Sequence, residues 1–169
     1  MMTIDDEKLI KLFEALDPKR RRQALKGALR RTANLVRKKA QANLKSSHIN
    51  TSTGLPKGIR RLLYKQKLGF RVTVGTGKKG VRGAFHTNRQ GKEKPVLLWA
   101  EGGTGQRFTK TATRIFRRKR SGHSTGSMPR YGFMERTRQE MSPEVDALLK
   151  NEINLNIQKI AKKYGCTIS

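Results

Sequence analysis

Acidic residues nearly vanish from the middle of this sequence. Of its 12 Asp and Glu, five lie in residues 1–17 (Asp5, Asp6, Glu7, Glu14, Asp17) and five in residues 131–169. That leaves Glu93 and Glu101 alone among the 31 Lys and Arg of residues 18–130. The central segment carries +29 between ends of −3 and +1, within a total of +27. Two carboxylates cannot neutralise 31 cations, so an internally balanced charge distribution is excluded. The segment must face a polyanion, face an acidic protein surface, or stand solvated and self-repelling.

Other scarcities exclude further classes. A single cysteine, Cys166, rules out an internal disulfide and suits a reducing compartment. No run of 18 apolar residues exists, so no membrane-spanning helix is expected. The acidic N-terminus has neither the basic nor the apolar region of a secretory signal, and nothing marks a lipid anchor. Aromatics are only 6 %. The central ones alternate as core residues, which argues against stacking on single strands and for sequence-blind contact with phosphates. His48, His86 and His123 lie in polar, turn-rich stretches and offer no metal-ligand spacing. No nucleophile, base and orienting group form a set, so neither catalysis nor a cofactor is expected. Glu101 is expected to pair with part of the arginine excess; a nuclease would have to rest on it. The run Gly75-Thr-Gly-Lys-Lys-Gly80 lacks the spacing of a nucleotide-binding loop, and Gly102 to Gly105 precedes no helical pattern. Both glycine clusters read as turns.

What is present predicts a single domain over 1–169, with a modest core, since apolar residues are 34 % of the chain. A short acidic helix over 1–17 carries Leu9, Ile10, Leu12, Phe13 and Leu16 at helical spacing. Asp17-Pro18 ends it and starts the next helix, with Asp17 as N-cap and Pro18 at the first position. The long basic helix over 18–45 has one narrow stripe, Ala24, Leu25, Ala28, Leu29, Thr32, Leu35, Val36, Ala40 and Asn43, and Lys or Arg over much of the rest. A turn-rich loop, 46–58, leads to a sheet region over 59–117, with strands near 59–65, 69–76, 95–101 and 110–117. Pro95 to Ala100 is a continuous apolar run of strand-like length. Residues 75–94 read as a long exposed loop or hairpin extension, and 106–130 as a basic mobile loop. A closing helix over 134–163 starts at Glu135 or at Ser142-Pro143.

The fold class is therefore α+β: a small antiparallel sheet packed against the long N-terminal helix and the C-terminal helix, with long basic loops. Phe70, Val72, Val74, Leu97, Trp99, Leu148 and Ile153 are the expected core. The loops supply the expected contacts to nucleic acid or an acidic partner. These are Lys78, Lys79 and Arg82 in the first loop and Arg114, Arg117, Arg118, Lys119 and Arg120 in the second. Six to ten such phosphate contacts would weaken binding by about 10³–10⁵ from low to moderate salt.

The order of segments resembles that of a known family. A basic helix with an Ala-Leu stripe (Leu25 to Ala40) is followed by Thr53-Gly54-Leu55 and strands. Next come Trp99-Ala-Glu-Gly-Gly-Thr104, a basic loop, and Pro129-Arg-Tyr-Gly-Phe-Met-Glu135 before the last helix. Over residues 20–163 this is similar to the tail-completion or neck proteins of long-tailed bacteriophages, the minor-tail-protein-Z-like family. The loop over 106–128 is longer and more basic than in that pattern, and Met134 stands where Leu is commoner. The resemblance implies a structural virion protein rather than an enzyme, a homo-oligomeric ring joining the head connector to the tail tube. Its partners would be head-completion, connector and tail-tube proteins, with DNA in the lumen. It would reside in the neck or tail of the virion, and in the host cytoplasm during assembly. The other reading of the residues is a small basic nucleic-acid-binding protein, ribosomal-like or DNA-compacting.

Overall fold

The computed structural model describes residues 6–49, 54–75, 85–87, 91, 93–108 and 124–164. Among them are four α-helices and three two-stranded ladders, an α+β fold as expected. The chain divides into two compact units: Met1–Ala40 with Arg60–Thr73 and Thr137–Ser169, and Gln41–Ile59 with Val74–Arg136.

The first unit is built on helices. Helix α1 spans Asp6–Ala15 and α2 spans Pro18–Ser46. Asp17 caps α2 as expected: its Oδ1 accepts the Arg20 amide at 2.9 Å, and Oδ2 lies 2.9 Å from Arg20 Nε. Arg21 reaches back to the end of α1, donating to the carbonyls of Leu16 (2.7 Å) and Glu14 (2.5 Å). Those carbonyls have no partner in the helical ladder, so one guanidinium closes α1 and fixes the bend between the helices. Leu16, Ala24 and Ile157 form a buried cluster, with Leu12, Phe13, Ile153 and Ile160 packed around it.

Helix α4 spans Phe133–Lys163 and runs antiparallel to α2. Three contacts set their register in the first unit: Arg20 over the Tyr164 ring at 3.8 Å, Arg31 to Glu152 at 3.3 Å and Lys39 to Glu140 at 3.2 Å. The buried side of α2 is mostly small, with Ala24, Ala28, Thr32, Ala33 and Ala40. Leu35, placed on the stripe by its spacing, is 39 % exposed. Helix α4 starts at Phe133 and continues through Pro143, so Ser142-Pro143 is not its beginning.

Strands β1 (Ile59–Leu63) and β2 (Phe70–Val74) form a hairpin. Tyr64 N–H donates to the Gly69 carbonyl (3.1 Å), and Gly75 N–H to that of Gly58 (2.9 Å). Val74 is buried, Phe70 and Val72 are half-buried and Arg71 is exposed, as the alternation predicts, but Thr73 is half-buried too.

The second unit contains the Gly54-Leu55 turn. Gly54 adopts φ +80°, a left-handed conformation that suits glycine, and opens a 3₁₀ turn over Leu55–Gly58 that buries Leu55. Short strands β3 (His86–Thr87) and β4 (Glu93–Lys94) pair antiparallel, His86 with Lys94 and Thr87 with Glu93.

The strand expected over 95–101 is a helix, α3 (Val96–Gly102). Leu97 and Ala100 are buried while Leu98 is 46 % exposed, a three-residue recurrence rather than alternation. Apart from Val96 the segment contains no β-branched residue, and Leu, Trp, Ala and Glu are compatible with helix. Its short apolar run alone does not distinguish a strand from a buried helix. Once it becomes helix, the continuous apolar strand needed at the centre of a wider sheet is gone. Among the described residues the other strands accordingly form three separate ladders rather than one small sheet.

Residues expected to be loop at both edges of 106–130 are strands instead. Strands β5 (Thr104–Phe108) and β6 (Ser124–Met128) pair antiparallel, Thr104 with Met128 and Phe108 with Ser124, with a register irregularity between them. The strand expected over 110–117 lies outside the described residues. Of the expected core, Val74 and Leu97 are buried; Phe70, Val72, Trp99, Leu148 and Ile153 are only half-buried. Fully covered positions go instead to alanines and to Leu16, Leu44, Ile59 and Phe133.

Candidate functional site

The cations singled out from the sequence, Lys78, Lys79, Arg82, Arg114, Arg117, Arg118, Lys119 and Arg120, all lie outside the described residues. In chain order the first three fall between β2 and β3, and the other five between β5 and β6. The elements that flank the longer segment are held by a contact between two distant motifs.

That contact centres on Glu101, at the end of α3. Its Oε2 accepts the Met134 amide at 2.8 Å and its Oε1 accepts the Glu135 amide at 3.2 Å. These are amides of the first turn of α4, which lack acceptors within the helix and carry its positive dipole end. The Tyr131 and Gly132 amides donate to the Ala100 and Glu101 carbonyls at 3.0 and 3.3 Å. Gly103 adopts φ +73° and ψ 175°, a conformation essentially confined to glycine. A Cβ there would stand 3.1 Å from Arg130 N and 3.2 Å from Met128 O. The motifs Trp99 to Thr104 and Pro129 to Glu135 are therefore two halves of one knot. Beside it, Arg107 lies 4.9 Å from the centre of the half-buried Trp99 ring.

Glu101 therefore acts as a helix cap, and among the described residues it forms no ion pair with the arginine excess expected to meet it. Both its oxygens are engaged by backbone amides at the start of α4. Sequence reasoning missed this role because the capping residue lies more than 30 positions from the turn it caps. The available signal was its position as one of only two acids in the basic segment.

A second arrangement lies in the first unit, along the α2–α4 pair. An open groove of about 870 Å³ is lined by Lys19, Arg22, Lys26, Arg30 and Arg31 on α2 and by Lys159 and Lys163 on α4. Its floor is Gly27 against Asn156. Asn156 donates to the Glu152 carbonyl at 2.6 Å, and its Oδ1 lies 3.0 Å from where a Gly27 Cβ would stand. The missing side chain lets the two helices approach here. Of the seven cations, Arg31 has a carboxylate partner, Glu152. Arg22 donates weakly to the Lys65 carbonyl at 3.5 Å, and Lys163 lies 5.6 Å from the Tyr164 ring. Lys19, Lys26, Arg30 and Lys159 have no carboxylate within ion-pair distance among the described residues. The spacing of the α2 cations on one face was legible in the sequence, but the wall added by Lys159 and Lys163 was not.

No helix among the described residues is long and apolar enough to cross a membrane. No curated protein and no solved structure matches the chain. A family model does match, over residues 7–88, and is described as "Bacteriophage HK97-gp10, putative tail-component". The matched stretch contains α1, α2 and the β1–β2 hairpin. Residues 7–88 are thus similar to a bacteriophage tail-component family, consistent with the neck and tail-completion proteins that the order of segments resembles.

Proposed function

We propose that this chain is a structural subunit of a phage neck or tail, assembling as a homo-oligomeric ring between the head connector and the tail tube. DNA would pass through or near it without being read for sequence. The observation that carries this reading is the joint one of family and charge. The match to a tail component covers α2, which carries many Lys and Arg and no acidic residue. Ion pairs among the described residues include Arg20–Asp17, Arg31–Glu152 and Lys39–Glu140, far fewer than the cations. The remaining charge calls for an external counter-ion, and DNA threading a particle supplies one. A thin core with many half-buried apolar residues suits a subunit that completes its packing against copies of itself, a closed ring being one symmetric solution.

Head-completion, connector and tail-tube proteins are the partners this role requires, and the virion is its final location. Its task is mechanical and electrostatic; no reaction is assigned to it. Tagged protein in assembled particles, viewed by negative-stain microscopy, tests the reading: label at the neck or tail is expected. Label confined to replicating nucleic acid, with particles unlabelled, would instead favour a DNA-compacting protein.

A further inference from the structure

We propose that the α2–α4 groove is itself a nucleic-acid site, holding the phosphate backbone of duplex DNA between two rails of cations. This deepens the sequence-blind DNA contact of the reading above but does not depend on a ring. The expected loop cations play no part in it. On α2, Lys19, Arg22, Lys26 and Arg30 follow each other at three- and four-residue steps and so share one face. From Lys19 to Arg30 they extend along about 16 Å of helix axis at 1.5 Å per residue. Lys159 and Lys163 face them from the antiparallel helix. A duplex strand presents a phosphate about every 3.4 Å of its axis, so a ridge of several phosphates can lie between the rails.

The lining decides between DNA and an acidic protein. Ile160 is the groove's one sizeable apolar residue, and no aromatic lines it. Protein interfaces are built around an apolar, aromatic-rich centre from which lysine is depleted. Nucleic-acid interfaces are polar and strongly positive. The absence of an aromatic from the lining also removes the means of stacking on bases, so contact is with phosphates and blind to sequence. The Gly27–Asn156 floor keeps the helices close and both rails within reach of one ridge.

The test is titration of the full chain with short duplexes of unrelated sequence across a salt series. Two charge-matched triple variants are compared with the wild type. One is Lys26→Gln, Arg30→Gln and Lys159→Gln in the groove. The other is Lys38→Gln, Lys45→Gln and Lys57→Gln, exposed positions outside it. Unchanged circular dichroism verifies that each variant is folded. The groove triple is expected to flatten the slope of log K against log salt by about 2.7, at roughly 0.9 per lost phosphate contact, equally on every sequence. The outside triple is expected to retain the wild-type slope. A groove triple with the wild-type slope overturns the proposal, as does an equal loss in both triples, which would make net charge the cause. Poly-glutamate displacing the duplex at equal charge concentration also overturns it, in favour of an acidic protein surface. A monomer that binds duplex through the groove but never appears in particles would retain this inference and defeat the ring; particles labelled at the neck with an unchanged slope would do the reverse.

Discussion

At the scale of single residues, Glu101 has the most to answer for. A carboxylate that receives two amides of a helix's first turn satisfies donors that nothing else in the helix can reach. Removing a helix-capping acceptor costs about 0.5–2 kcal/mol, and Glu101→Ala is expected in the upper part of that range because the acceptor is charged and partly buried. Glu101→Gln retains one acceptor oxygen and is expected to lose less. Urea denaturation of the three proteins verifies the order; equal stability of wild type and Glu101→Ala would contradict the capping role. Burial sorts the aromatics in the same way. Phe133 is fully covered, so Phe133→Ala is expected to cost about 3–5 kcal/mol. Trp99 is half-buried beside Arg107, and Trp99→Ala is expected to cost clearly less, under about 3 kcal/mol. A larger loss at Trp99 than at Phe133 would contradict the placement of the core.

At the scale of elements, the α2–α4 pair turns on Gly27. Glycine in a helix interior costs about 0.5–1 kcal/mol relative to alanine, so Gly27→Ala alone would stabilise an isolated α2. Here the new methyl would stand 3.0 Å from Asn156 Oδ1, and Asn156 is engaged with Glu152. The single variant is therefore expected to gain less than the propensity difference, or to lose stability. In an Asn156→Ala background the full gain of about 1 kcal/mol is expected to return. A double-mutant cycle by thermal unfolding measures that coupling; additive effects would mean the helices do not meet as described.

Helices α1, α2 and α4 were the legible elements, and for a physical reason. The recurrence in α2 and the Asp17-Pro18 cap are local signals, repeated many times or fixed by adjacent residues. The strand signal at 70–74 was legible through its alternation. The segment over 96–102 was not, because its apolar run is too short to show a period. Which face of it meets the interior decides between helix and strand. The β5–β6 pairing was hidden too, since Thr104 to Phe108 and Ser124 to Met128 contain few strand-favouring residues and gain order from each other. The expected loop contacts lie outside the described residues, while the groove joins cations of α2 to those of a helix more than a hundred residues later.

At the scale of the whole molecule, net charge governs behaviour before any specific contact does. The chain at +27 is expected to purify with nucleic acid of random sequence at low salt and to release it as salt rises. With six to ten phosphate contacts, affinity falls by about 10³–10⁵ between about 50 and 200 mM salt. Ultraviolet absorbance ratios through a salt wash check this; a protein free of nucleic acid at low salt would contradict it.

Charge imbalance, helical periodicity and the scarcity of acids are properties of composition and of neighbours along the chain, so they survive without coordinates. They were enough to show a charge that the chain cannot neutralise internally and, through the order of segments, a resemblance to phage tail-completion proteins that the match over residues 7–88 supports. Folding alone decided that a short apolar run becomes helix, that Glu101 caps a distant helix, and that two basic faces form one groove. Each of those outcomes depends on which surfaces come into contact across large separations in sequence. Such contacts are chosen by burial and backbone hydrogen bonding, which no local pattern encodes.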